Sequence, residues 1–286
     1  MAGMRCGAML VTIVCAAGLL VGSPATALAA SPACAAASAP AAAAVPLSGA
    51  TLASVAAYRA AHDTVRLPVD LAASAPAAVA AQVARRAAAR RAPVRLARGA
   101  PAAACAASGR IVLANLDQQG QITDYYCGPA TVSEMAATRG LRVDQGAAAR
   151  WMGTGPSSGT SVDRLTRGLN QFVGWPGGGT YAFVSLSYSP TPNERAAFVA
   201  RLRSDLTTYG GWPVAGDAWE VPGGPHLVGH PDVEIFHWIE IGGMGDGDTV
   251  AYYADSATTV WSGVPAYSWI DLGALVDILG GRGYAW

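Results

Sequence analysis

Lysine is missing from all 286 residues, so every fixed positive side chain is an arginine. Long hydrophobic runs are missing too. The apolar stretch from Ala8 to Val21 is shorter than the roughly 20 residues a membrane-spanning helix needs, and a stable span is excluded. No period of roughly 20–50 residues recurs, which excludes a solenoid. Aromatics are almost absent from residues 30–107, a tract of alanine, proline and arginine that cannot bury enough apolar area to fold alone. Cysteine is scarce: of Cys6, Cys15, Cys34, Cys105 and Cys127, the last three, which remain once the first two leave with an N-terminal signal, offer no metal cage at their spacing. No metal and no cofactor is expected.

Charge is divided along the chain. Residues 30–107 carry eight arginines against Asp63 and Asp70, a net +6, whereas residues 108–286 carry ten arginines against seventeen acids, a net −7. The acidic part repels phosphates, so nucleic acid is not an expected partner. The opening MAGMRCGAMLVTIVCAAGLLVGSPATALAA has a basic start, an apolar stretch and the small-x-small set Ala27-Leu28-Ala29. It reads as a secretory signal over residues 1–29, and the protein is expected to be secreted, extracellular or wall-associated. Removal of the signal leaves Cys34, Cys105 and Cys127; the first two can pair, and the odd one is then a free, reactive thiol. Residues 30–107 read as a low-complexity linker or as a basic pro-segment docked on the acidic domain. Within them, residues 77–91 are helix-prone, Pro93 ends that helix, and Arg85, Arg86, Arg90, Arg91, Arg95 and Arg98 supply the charge.

The chemistry concentrates in QITDYYCGPATVSEMAA. Pro129 suits the first turn of a helix, and Val132, Met135 and Ala136 share one apolar face, so Cys127 sits at a helix start. Converging N–H groups and the helix dipole favour an anion there, and a nearby imidazole favours the thiolate, the nucleophilic form. Gln121 can reach back over this turn with an amide donor of the kind an oxyanion hole needs beside the nucleophile's own N–H. FHWIEI, ending at Gly242-Gly243, and TVAYYAD read as two strands of a hairpin. That brings His237 near the start of one toward Asp255 at the end of the other, where a carboxylate can hold the tautomer of an imidazole base.

Gln-x5-Cys-Gly-Pro, a distant His-Trp-x-x-Ile and a strand ending in Asp resemble the papain-like cysteine peptidases. The closest likeness is to the bacteriocin-processing, double-glycine-leader peptidases. The resemblance covers residues 108–286. It implies Cys127 as nucleophile, His237 as base, Asp255 as its orienter and Gln121 as oxyanion donor, in a monomer acting on a peptide or protein substrate. It also implies an α+β papain-like fold, with the nucleophile helix packed on an antiparallel sheet. Those processors are fused to a membrane-spanning exporter, whereas this chain ends at Trp286, so a task other than leader removal is expected. A papain-like amidase or acyltransferase on cell-wall peptides, or a non-catalytic peptide-binding module, are the alternatives.

Gly109–Asn115 is expected as a first strand, Thr160–Leu165 as a capped helix start burying Leu165, Leu169 and Phe172, and Thr180–Ser187 as a strand. Asn193–Tyr209 reads as a helix through Phe198, Leu202 and Leu206, Trp212–Trp219 as a strand and Asp271–Leu279 as a last helix. Rival readings make Cys127 a buried structural thiol and His237 a core histidine. The His-x3-His spacing of His226 and His230 suits zinc together with His237, but GGPHLVGHPD reads as a loop, and both histidines are expected at the edge of the substrate cleft. Tyr125, Tyr126, Trp219 and Trp238 either line that cleft or pack.

Overall fold

The computed structural model describes residues 48–90, 109–174, 181–208 and 211–286. The expected signal and the expected pairing of Cys34 with Cys105 lie outside them, as do Arg91, Pro93, Arg95 and Arg98. The described chain runs through helices α1 (Gly49–His62) and α2 (Pro76–Arg90), strand β1 (Ile111–Val112) and helices α3 (Cys127–Thr138), α4 (Gln145–Met152) and α5 (Val162–Phe172). Then come β2 (Phe183–Ser185), α6 (Pro192–Thr207), β3 (Val214–Glu220), β4 (Ile235–Gly245) and β5 (Val250–Ala254), and finally β6 (Tyr267–Asp271), α7 (Leu272–Ile278) and β7 (Gly283–Ala285). Short 3-10 turns occupy Leu71–Ser74 and Ser256–Thr259.

The strands form one antiparallel sheet in the order β2-β7-β3-β4-β5-β6, with β1 pairing β4. Alternation along β3 and β4 assigns its two faces. Val214, Ala218, Ile239 and Ile241 join a core with Phe198, Leu202 and Leu206 of α6 and Leu275 and Val276 of α7. Ala215 and Trp238 instead meet Val132 and Met135 of α3, Ala148 of α4 and Leu165 and Leu169 of α5. Helices therefore cover both faces, an α+β arrangement with near-continuous burial along β3, β4 and β5.

Several boundaries move. β4 does not stop at Gly242-Gly243 but runs to Gly245, with a bulge between Ile241 and Gly243. Gly242 is needed there because a Cβ would come 2.2 Å from Leu116 Cδ1. The first strand shortens to two residues and the strand near 180–187 to three. α5 starts at Val162 after an N-cap, Ser161, that makes no side-chain cap bond, whereas α6 closes a full capping box between Thr191 and Glu194. Helix α4, capped by Asp144, and strand β6 were not expected; α4 is only eight residues long and too rich in small residues to show a period.

Residues 48–90 are not a solvated linker. Arg59 is 1% exposed and donates to the carbonyls of Tyr188, Trp219 and Ile278, stitching α1 to the end of β3 and to α7. Burial lowers its pKa to about 10, with Asp277 opposing that fall. Val55 packs against Trp219 and Val221, and Asp63 faces Arg282 at 3.6 Å. On α2, Arg86 reaches Asp205 at 3.6 Å and lies over the Trp286 ring at 3.9 Å. Arg201 of α6 donates back to Gln82 and to the Ala73 carbonyl. An alanine-rich segment can dock this way because arginine stems and hydrogen-bonded heads replace the missing aromatics. Removing the Arg59 head strands three carbonyls. Arg59→Leu should therefore cost about 2–3 kcal/mol, read as a lower urea midpoint at unchanged slope; an unshifted midpoint would restore the linker reading for this helix.

Candidate active site

Cys127 is the first residue of α3 and is a free, half-buried thiol. Tyr126 occupies the N-cap without a side-chain hydrogen bond to the first turn, so the leading N–H groups of Cys127 and Gly128 have no side-chain cap. Gly128 is imposed by packing: a Cβ would sit 2.5 Å from Thr160 Oγ1. The Thr160 carbonyl in turn accepts the Trp238 indole N–H at 2.9 Å. Trp238 thus fixes the layer under the helix start while its neighbour His237 meets the thiol.

His237 is 3% exposed. Its Nε2 lies 2.9 Å from Asp255 Oδ1, so Nδ1 is the ring nitrogen left open, and the Cys127 thiol lies near enough to the ring to favour its charged form. Burial disfavours the charged ring, but the Asp255 carboxylate and then Cys127 outweigh it, and the His237 pKa stands well above its ordinary value. Burial likewise works against ionised Asp255, yet His237 and His230 hold its carboxyl far below the usual range. The sheet register explains the meeting. β5 leaves β4 after Ala254, opposite Glu240, and Asp255 then caps the 3-10 turn through Ala257 N–H at 2.8 Å.

Gln121 belongs to the same unit. Its N–H donates to the Ser256 carbonyl at 2.9 Å, its Oε1 accepts from the Ser256 hydroxyl at 3.1 Å, and Thr259 donates to its carbonyl. The amide Nε2 gives one hydrogen to Thr123 O at 2.8 Å, leaving a second N–H. Gly120 is pressed so close to the turn that a Cβ would lie 2.5 Å from Thr259 Cγ2. Gln118, a sequence competitor of Gln121, spends its amide on the Asp255 carbonyl and the Thr258 hydroxyl. Behind the loop, Glu134 of α3 accepts the Gln119 N–H at 2.8 Å, and Gln145 binds Ile122 N and Gly120 O.

His226 and His230 depart from expectation. They do lie on a loop, but the His230 side chain is fully buried behind Asp255 rather than at a cleft edge. Its Nδ1 lies 2.7 Å from Glu220 Oε1 and its Nε2 3.1 Å from Asp255 Oδ2. His226 meets the other Glu220 oxygen at 2.8 Å and Asp232 at 3.0 Å. Ligand atoms of His230, His237 and Asp255 fall within 4.8 Å of one another without His226, so the expected rival set of three histidines does not converge. Each Nε2 already faces a carboxylate oxygen at hydrogen-bond distance, which fits paired ions better than a cation. Glu220, Glu134 and Ser256 had no signal in the sequence: each acts through contacts six or more residues away. Trp219 and Trp238 pack, at 0% and 3% exposure.

The chain matches no family model and no curated protein. The site therefore speaks through its geometry. Among the described residues no helix is long and apolar enough to cross a membrane.

Two buried acids lie beneath this loop. Burial pushes Glu134 up to about 8, relieved in part by the Gln119 N–H. Burial and then Glu134 itself raise Glu240 well above its usual value, with the Thr138 hydroxyl opposing. A carboxyl neutral in the fold and ionised in the unfolded chain stabilises fully only below its unfolded value of 4.5, and that contribution is lost as pH rises to about 8. Glu134→Gln keeps the acceptor for Gln119. It should lessen the fall in unfolding free energy between pH 5 and 8, each such group giving at most about 1.4 kcal/mol per pH unit. Urea melts at stepped pH measure this; an equally steep decline in the variant would remove Glu134 as its source.

Proposed function

We propose that the protein is a secreted, papain-like cysteine peptidase in which Cys127 attacks a peptide carbonyl. The observation that carries this reading is the buried pair of His237 and ionised Asp255, 2.9 Å apart, beside the half-buried Cys127 thiol at a helix start. His237 takes the thiol proton and Cys127 Sγ bonds to the carbonyl carbon. The oxyanion is received by the Cys127 N–H at the uncapped helix start and by the second N–H of Gln121. His237 returns its proton to the leaving amine, the C–N bond breaks, and an acyl-enzyme remains. A water then gives its proton to His237, attacks the acyl carbon and frees the thiol. Exposed Ile122 and Phe236, next in sequence to Gln121 and His237, are 64% and 49% accessible and supply apolar surface for an extended substrate. Secretion rests on the signal-like residues 1–29, and the absence of a required metal or cofactor on the paired ions of the site.

Iodoacetamide should label Cys127 at about pH 6, where an ordinary thiol of pKa about 8.5 is largely protonated. Cys127→Ala should abolish peptide hydrolysis, and full retained activity would end the assignment. Gln121→Ala should lower kcat by about 10²–10³ with KM little changed; a variant with wild-type kcat would move the oxyanion donor elsewhere. If labelling occurs but only cell-wall amides are cleaved, the substrate class changes and the nucleophile stands.

A further inference from the structure

We propose that His230 is a positioning residue for Asp255, held as a permanent imidazolium between Glu220 and Asp255, so that the orientation and charge of the triad carboxylate depend on it. The inference rests on the peptidase reading only for the word triad; the geometry stands without it. Both His230 nitrogens face carboxylate oxygens, at 2.7 Å on Glu220 and 3.1 Å on Asp255. An ionised carboxylate can only accept, and a neutral imidazole has one donor. Two acceptors are satisfied only if both ring nitrogens carry hydrogen. With the side chain fully buried, no water can substitute for either bond.

The same count applies to His226, between Glu220 at 2.8 Å and Asp232 at 3.0 Å. From the surface inward, Asp232, His226, Glu220, His230, Asp255 and His237 therefore alternate in sign, and the series ends beside Cys127. Both oxygens of Asp255 are used: Oδ1 by His237 and Ala257 N–H, Oδ2 by His230. Its N–H donates to Ala266 O and its carbonyl accepts from Gln118, so the backbone is fixed and His230 settles the remaining freedom, rotation of the carboxylate. The His230 ring is also wedged by Trp261 and His237, at centroid distances of 4.8 and 5.4 Å. The charged or titratable groups facing this cluster are Glu220 from β3, His226 from the loop, Asp255 and Tyr253 from the β5 side, His237 from β4, Glu134 and Cys127 from α3, and Asp217 across β3. Both His226 and His230 are shifted toward the charged form: burial opposes it, and the carboxylates outweigh burial.

His230→Gln removes the cation and leaves Glu220 and Asp255 facing each other's side of the site. The surroundings of Cys127 become more negative and Asp255 loses its anchor; both effects disfavour the thiolate. The readout is the pH dependence of Cys127 alkylation by iodoacetamide in the full chain, which needs no substrate. The acid limb of the profile should move to higher pH, with alkylation about tenfold slower below the limb for a one-unit shift. Loss of packing alone would lower the melting temperature without moving the limb, and coincident profiles would overturn the proposal. A measurement on the unaltered protein covers the case in which the variant does not fold. In a ¹⁵N-histidine spectrum at pH 7, His230 should show two protonated ring nitrogens, and a neutral tautomer would overturn the proposal equally. A protein that cleaves no peptide yet shows the moved limb keeps His230 in this role and loses the peptidase reading. One that cleaves peptides with an unmoved limb does the reverse.

Discussion

One buried carboxylate organises this protein. Asp255 is removed from water, and an isolated carboxylate in such a place would neutralise rather than stay charged. It remains ionised because two imidazoles and the Ala257 N–H of the 3-10 turn it caps converge on it. Each partner is tied to a different part of the chain: His237 to the middle of the sheet, His230 to the long loop after β3, and Ala257 to the 3-10 turn after β5. Satisfying one carboxylate therefore fixes three segments, while Gln118 ties the loop that carries Gln121 to the Asp255 backbone carbonyl.

The local parts of this arrangement were legible in the sequence. Proline in a first turn after Cys-Gly, with Val132, Met135 and Ala136 on one face, marked the α3 start to the residue. The alternation around His237 and Asp255 marked two adjacent antiparallel strands, and α6 followed its Phe198, Leu202 and Leu206 period. What escaped was set by long-range contacts. Nothing local marks Glu220 as the partner of two histidines six and ten residues on, and a loop of glycine and proline conceals how tightly His230 is enclosed. The β4 bulge was hidden because Gly242-Gly243 is also the signature of a turn; only the approach of Leu116 distinguishes the two.

For the N-terminal segment the helix expected over 77–91 is present as Pro76–Arg90 and docks through Arg86 on the acidic domain, as one of the two readings had it; only the solvated linker gives way. Composition was read as a measure of buried area, and alanine with almost no aromatics gives little. Residues 48–90 supply arginines to aromatic rings and orphan carbonyls of the sheet's helical cover, so the domain supplies the area and the segment supplies the donors. Arg59 over Trp219 and Arg86 over Trp286 use surface that the acidic part already owned. Arg86 and Asp205 bring the opposite charges of the two regions together in a buried contact, and the described contacts of the segment fall on α6, α7, β2 and the end of β3, not on Cys127, His237, Asp255 or Gln121.

Close to the site the fold keeps groups that a purely structural core would not. Glu134 and Glu240 are fully buried, and Asp217 is pushed up to about 7 by burial despite Arg282 and His237 nearby. Apolar residues would fill such positions at lower cost, and local rules of this kind are most often broken around functional sites. Glu134 shows what is gained: its oxygen holds the Gln119 N–H, so the loop bearing Gln121 is pinned to the helix bearing Cys127. A hydrocarbon side chain could fill the volume but could not tie the two together. Neutral at the pH where the His237–Asp255 pair is charged, Glu134 anchors the loop without adding a second negative charge behind His237.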